Sequence, residues 1–353
     1  MWTWLVPLLS LAVLVGAIAS GVGAVLAAVC AIGLVGAVIA AVHHAEVVAH
    51  RVGEPFGTLV LALSVTVIEV SLILSMMVAG KGDTSAVPRD TIYAAVMIIC
   101  NGVLGICVFL GGLAHREQSF RVEGAGPGLA ALMAMSALTL VLPNFTTTTP
   151  AGTYSDSQLA FVAVSSAVLW CVFVFFQTVR HRDYFLPVSD AANPEAHVAP
   201  PTLAQTWSSF GLLLVSLVAV VGLAKMLSPT LERGIEAVGA PKATIGIVIA
   251  LLVLMPEGMA AVRAARADRL QTSMNLAIGS ALASIGLTIP AVVVAAGAFG
   301  LPLVLGLEPR DIALLTLTFI VSAVTLGTGR TNLMQGAVHL VIFAAFLCLA
   351  IVQ

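Results

Sequence analysis

Predominantly apolar stretches of roughly 17 to 28 positions recur along this chain, enough for an α-helix to cross the hydrocarbon of a bilayer. Eleven such runs cover approximately residues 2–20, 22–42, 57–80, 91–114, 127–143, 157–179, 207–227, 243–263, 271–298, 309–327 and 332–351. Between them lie Gly, Pro, Ser, Thr and Asp, the punctuation of loops, as in "GKGDTSAVPRD" and "PNFTTTTPAGTYSD". The pattern predicts an all-α polytopic membrane protein of about 11 transmembrane helices.

The longest polar connection, "RHRDYFLPVSDAANPEAHVAPP", divides the chain into comparable halves. Residues 1–20 then form an N-terminal transmembrane helix, 21–179 a first five-helix repeat, 180–206 a cytoplasmic linker and 207–353 a second five-helix repeat. Five is odd, so a duplicated unit of five helices would enter the membrane the second time upside down, as an inverted repeat. Sequence support comes at matching ordinal positions. The second helix of each half carries a glutamate, Glu69 in "VTVIEVSLIL" and Glu257 in "VLMPEGMAAV". The third carries a patch of polar and small residues, "CNGVLGIC" around Asn101 and "GSALASIG" around Ser280 and Ser284. Together they place a site where the two repeats meet.

Composition narrows the class further. Of the 353 residues 60 % are hydrophobic and 9 % charged, against about 25 % charged in soluble domains, and the mean hydropathy is +1.10. The net charge of −2 says nothing about partners, and with no polybasic run to track phosphates no nucleic-acid partner is expected. The N-terminus lacks the cationic start of a signal peptide and reads as a first span. Cys30, Cys100, Cys107, Cys171 and Cys348 all sit in apolar runs without a Cys-x-x-Cys spacing, so they read as core thiols. With the N-terminus cytoplasmic, Arg51, Arg116, Arg121, Arg180, Arg182, Arg263, Arg266, Arg269 and Arg330 fall inside. Lys81, Arg89, Lys225, Arg233, Lys242 and Arg310 fall outside. The excess of cations inside sets that orientation.

Only Glu69 and Glu257 among the acidic residues lie well inside apolar runs. A charge at the bilayer centre costs at least about 2.5 kcal/mol, so such residues face polar cavities and act there; the bland reading is a protonated carboxyl used as packing glue. Pro256 deprives the Leu252 carbonyl of its helical donor, which makes that oxygen available as a ligand or merely kinks the helix. Ser280, Ser284 and Thr288 form one hydroxyl stripe, and Thr66 lies one turn before Glu69; each serves as interhelical glue or as a ligand. Asn101 must find a partner in lipid. His339 and Gln335, at i and i+4, are expected to satisfy each other or a backbone carbonyl. "HHAEVVAHRVGEP" resembles a metal cluster at His43, Glu46 and His50 but fits an interfacial helix better. No HExxH, GxSxG or GxxxxGK[ST] occurs, which leaves gradient-driven transport as the natural use of two buried carboxylates.

Three strings, "HAEVVAHRVGEPFGTLVLALSVTVIEVSLI", "LMPEGMAAVRAARADRLQTSMNLAIGSALASIGLTIP" and "GTGRTNLMQGAVHLVIFAAF", resemble the bacterial ChaA-type calcium/proton antiporters of the CAX branch of the cation/calcium exchanger superfamily. The resemblance implies eleven helices, an inverted five-plus-five repeat and export of a cytoplasmic cation against external protons. The essential glutamates of that family fall on Glu69 and Glu257. The family writes Gly-Asn-x-x-Glu where this chain has Val65-Thr66 and Val253-Leu254, so two carboxamide ligands are absent. It often carries an acidic stretch between its halves, whereas residues 180–204 hold only Asp183, Asp190 and Glu195, and no cytoplasmic calcium-sensing patch is expected. The expected activity is secondary Ca2+/H+ antiport with Glu69 and Glu257 shared between metal and proton. Thr66, Asn101, Leu252, Ser280 and Ser284 are supporting ligands. No cofactor is implied beyond the transported Ca2+ and H+, the lipid bilayer is the surrounding partner, and no oligomeric state is set. A Na+ or K+/H+ antiporter on the same glutamates is the nearest alternative; an intramembrane enzyme and a non-transporting scaffold are alternatives of other classes.

Overall fold

The computed structural model describes residues 2–21, 23–53, 56–79, 83–186, 201–237, 239, 241 and 243–352. Lys81, Lys242, Asp190 and Glu195, used above in the charge reading, lie outside the described residues. Among the described residues, eleven helical segments are long and apolar enough to span a membrane, one at each expected run. They are α1 (Trp2–Ser20), α2 (Ala24–Val52), α3 (Phe56–Ala79), α4 and α5 (Val87–Met97 and Leu104–His115, joined by a π turn over Ile98–Val103) and α6 (Val122–Ser136, prolonged to Phe145). Next come α7 (Asp156–Phe175, prolonged to Arg180), α8 (Leu203–Ala237), α9 (Ala243–Arg266), α10 and α11 (Leu270–Gly286 and Thr288–Phe299), α12 (Pro309–Gly327) and α13 (Leu333–Ile351). The break between α10 and α11 has a local cause. Pro290 offers no N–H to the Gly286 carbonyl, and the chain bends at Leu287.

The chain packs as two compact units, Met1–Val87 with Val198–Val253 and Pro88–His197 with Leu254–Gln353. This division follows helix order instead of the halves. Each half gives its first two spans to one unit and its last three to the other, the boundary in the second half falling within α9.

In the first unit α2 is the central helix, packed against α1, α3 and α8. Its run of small residues, Ala37, Ala40, Ala41 and Ala45, is fully buried and lets those neighbours approach closely. The Ser10 hydroxyl of α1 donates to the Gly33 carbonyl at 2.9 Å, and a Cβ on Gly222 of α8 would overlap Leu14. The segment read as an interfacial helix is instead the continuous end of α2. There His44 Nε2 lies 2.8 Å from the Thr3 carbonyl and the His43 ring meets Trp2 at a tilt, centroid to centroid at 5.3 Å. Among the described residues no trio of His, Cys, Asp or Glu is gathered as a metal site.

The second unit shows the inversion directly. At one end, the loops after α5, α7, α9 and α12 meet. β1 (Glu117–Ser119) pairs antiparallel with β2 (Arg330–Asn332). Gln118 Nε2 donates to the Ala265 carbonyl at 2.9 Å, the Arg121 N–H to Gln271 Oε1 at 2.7 Å, and Asn275 Nδ2 to the Phe185 carbonyl at 2.7 Å. At the other end, Arg89 donates to the Gly306 carbonyl at 3.1 Å, and Asn144 Nδ2 to the Leu307 carbonyl at 2.7 Å. The Gly152 carbonyl accepts from Leu305 and Gly306. Spans 4, 5 and 6 therefore run opposite to their counterparts 9, 10 and 11. The packing follows suit: α5 lies on α13 as α11 lies on α7, and α6 faces α12.

Single cysteines at Thr148 and Ala267, in a background without the five native thiols, are expected to react with a membrane-impermeant maleimide from opposite faces; reaction from one face would remove the alternation. A methyl group on Gly336 would strike the Phe109 backbone. Gly336→Ala is therefore expected to destabilise the fold by about 1–3 kcal/mol, read as a lower Tm in detergent.

Candidate functional site

Glu69 lies in the middle of α3, 1 % exposed, with Val65, Thr66 and Ile68 also buried around it. Thr66 shares its face one turn away. Both belong to the first unit.

Glu257 lies in α9 and is half-buried. The helix runs unbroken through Pro256, so the proline neither ends nor splits it. What it does change is the ladder: the Leu252 carbonyl has no amide donor four residues on. One residue beyond the glutamate, Gly258 brings α9 against the π turn of the fourth span, a Cβ there falling 3.3 Å from Val103 Cγ2. Within the second unit, the part of α9 that carries Glu257 thus touches the π turn at Val103.

The helix break at Leu287 falls inside the expected hydroxyl stripe, between Ser284 and Thr288. Ser280 is half-buried, and Ser284 and Thr288 are buried. α10 packs on α5 and on the π turn.

Asn101 is fully buried, and the structure gives its amide two specific partners. Its Nδ2 donates to Thr318 Oγ1 at 2.9 Å, and its Oδ1 accepts from His339 Nδ1 at 3.1 Å. The other ring nitrogen, His339 Nε2, lies 3.1 Å from the Thr325 hydroxyl. Of the two partners expected for His339, Gln335 is not one, while a backbone carbonyl, that of Cys100, is. Gln335 turns back to the start of its own helix, where its Oε1 accepts from the Asn332 N–H at 3.0 Å in a capping box. The capping box holds Gln335 at the membrane edge, while His339, one turn deeper, has only other helices to bond.

The role of α12 could have been suspected from a repeated string. Ser136-Ala137-Leu138-Thr139-Leu140 in the fifth span and Ser322-Ala323-Val324-Thr325-Leu326 in the tenth occupy the fourth helix of each half. All four hydroxyls are buried. Thr139 bonds its own helix at the Met135 carbonyl, 2.7 Å away, whereas Thr325 reaches His339; the Oγ atoms of Ser136 and Ser322 have no protein partner. Two hydroxyls per helix at matched places, without a charge, fall below any filter that searches for ionisable residues.

Each unit carries hard oxygen donors of its own: the first the Glu69 carboxylate, the Thr66 hydroxyl and the Leu252 carbonyl, the second the Glu257 carboxylate and the hydroxyls of Ser280 and Ser284. Comparison with known proteins agrees in kind. The family model described as sodium/calcium exchanger protein matches residues 22–179 and 208–352. The "Putative ionic transporter y4hA" of Sinorhizobium fredii is 47 % identical over 353 residues, covering 99 % of this chain and 96 % of its own. The sodium-potassium/proton antiporter ChaA of Escherichia coli is 36 % identical over 90 % of this chain and 86 % of its own. A Ca2+/H+ antiporter of Synechocystis is 27 % identical over 69 % and 68 %. The solved structure of native YfkE superposes with a TM-score of 0.77 at 16 % identity, over 99 % of this chain and 100 % of that one. The H+/Ca2+ exchanger CAX gives 0.72 at 15 % identity, over 98 % and 87 %. At such identities the two structures speak for the fold.

Proposed function

This chain belongs to the sodium/calcium exchanger protein family, and we propose that it is a secondary antiporter that exports cytoplasmic Ca2+ in exchange for external H+. Glu69 and Glu257 are the carboxylates that take cation and proton in turn. The observation that carries the reading is the pair of intramembrane glutamates at the same ordinal position of two halves whose helices run in opposite senses. Thr66, Asn101, Ser280, Ser284 and the Leu252 carbonyl are the neutral oxygens proposed to complete the coordination. Calcium takes about six to eight oxygens, more than two carboxylates supply. The protein resides in the inner membrane with its N-terminus in the cytoplasm, the orientation favoured by the arginine excess on that side.

Charge balance favours a divalent ion. Two carboxylates neutralise one Ca2+ as fully as they do two protons, so either load crosses without net buried charge. Each charge moved across 100 mV is worth about 2.3 kcal/mol, so two protons per Ca2+ make the cycle electrically silent and three make it voltage-driven. A second reading, exchange of Na+ or K+ for H+, has its own observation: the relative at 36 % identity is a sodium-potassium/proton antiporter, and this chain has Thr66 and Leu254 where the wider calcium exchangers place asparagine.

Purified protein in liposomes with an imposed pH gradient separates the two. Ca2+ is expected to dissipate the gradient at micromolar to sub-millimolar concentration and Na+ only weakly; robust exchange with Na+ or K+ and none with Ca2+ would reassign the substrate. Glu69→Gln and Glu257→Gln keep the size of the side chain and remove the ionisable oxygen. Each is expected to insert and fold, yet to dissipate the gradient no faster than empty liposomes.

A further inference from the structure

The π turn over Ile98–Val103 is where the fourth span departs from regular helix, and π turns mark functional positions more often than chance. It is held from one side by a directed chain of hydrogen bonds. The amide oxygen of Asn101 can only accept, so the proton of His339 sits on Nδ1, and Nε2 accepts from the Thr325 hydroxyl. Asn101 Nδ2 donates onward to Thr318, whose own hydroxyl donates to the Leu314 carbonyl at 2.8 Å. Asn101, Thr318 and His339 are fully buried and Thr325 is 2 % exposed. Thr318 and Thr325 stand two turns apart on one face of α12, so a single rigid helix grips both ends of the chain.

α13 is pressed against the turn as well. A Cβ on Gly105 would stand 3.0 Å from His339 Cβ, and one on Gly102 would stand 3.2 Å from the Phe343 ring. His339 therefore has little room to swing away. Two residues along a helix point to nearly opposite sides, and Val103, two beyond Asn101, points to the other neighbour: its Cγ2 is what Gly258 of α9 packs on, next to Glu257.

We propose that His339 is a positioning residue for cation exchange, fixing through Asn101 the π turn against which the Glu257 segment of α9 rests. Through that chain Asn101 holds the backbone of the turn, while its Oδ1, bonded to His339 through one lone pair, keeps a second for the cation. The inference rests on the exchange reading given above. It differs from simple helix glue in what it moves: glue alters how much protein folds, whereas a positioning residue alters how well the folded protein holds its ion.

The test uses full-length protein in liposomes, with gradient dissipation measured against Ca2+ concentration, or against Na+ or K+ if those are the ions exchanged, and rates scaled to folded protein. His339→Phe keeps the ring volume and removes both nitrogens. It is expected to raise the half-saturating cation concentration about tenfold or more while the maximal rate stays within about threefold of wild type. His339→Asn places an amide nitrogen where Nδ1 stood and is expected to remain within about threefold in both quantities. Thr318→Val cuts the far end of the chain and, should His339→Phe not fold, is expected to give the same rise on its own. Half-saturation unchanged in His339→Phe, or in Thr318→Val, overturns the inference whatever happens to Tm, and so does His339→Asn behaving like His339→Phe. Wild-type protein that exchanges no cation would instead overturn the function and this inference with it.

Discussion

Hydrocarbon offers no hydrogen bonds, so every polar group carried into it must be answered from within the protein. That constraint orders most of what is seen here. Hydroxyls bond the carbonyl a turn behind them, as Ser64 does to Val60 and Ser228 to Ala224, and so disappear from the surface. Asn101 and His339, too large for that solution, bond each other and two threonines across three helices. Where helices end, polar loops bind one another: the β1–β2 ribbon, Gln118 on the α9–α10 loop, Asn144 on the Leu307 carbonyl. Ionisable carboxylates are the groups for which neutral answers are least sufficient, and this is why two of them in mid-span point to a substrate that carries charge.

Much of the fold was legible because the bilayer enforces a length. Among the described residues all eleven spans appear where the apolar runs lie, and the ends shift by as much as ten residues because helices such as α2 and α8 extend past the apolar core into polar sequence at His43–Arg51 and Pro229–Ala237. The glutamates were legible for the opposite reason, as exceptions to the same rule. The partners of Asn101 were not. Hydropathy is a property of one segment, and Thr318 and His339 sit 217 and 238 residues further on. Nor did the π turn leave a sign, since "IICNGV" is as compatible with regular helix as with the wider turn. Gln335 misled because i, i+4 spacing states who can meet, not who does; the N-terminal cap competed for it and won.

The duplication is stronger in space than in letters. Across the halves few identities survive beyond the glutamates and the Ser-Ala-x-Thr-Leu strings, yet the pattern of helix neighbours in the second unit is two-fold. The equivalence is not perfect, and its imperfections fall at polar positions: Thr325 bonds a histidine where Thr139 bonds its own backbone. Packing around small residues tolerates an approximate repeat, while a hydrogen-bonded chain demands particular atoms, and at this position the second half carries such a chain where the first does not.

The β ribbon also sets an order of events during synthesis. β1 leaves the ribosome at the end of the fourth span, while its partner strand follows only after the tenth. Until then the edge of Glu117–Ser119 can be satisfied only by water, so that end of the bundle must stay wet through the insertion of six further spans. The nascent chain is closed last at the point where its two halves are stitched together, and a ribosome that stalls before β2 leaves the first half membrane-inserted with one seam open.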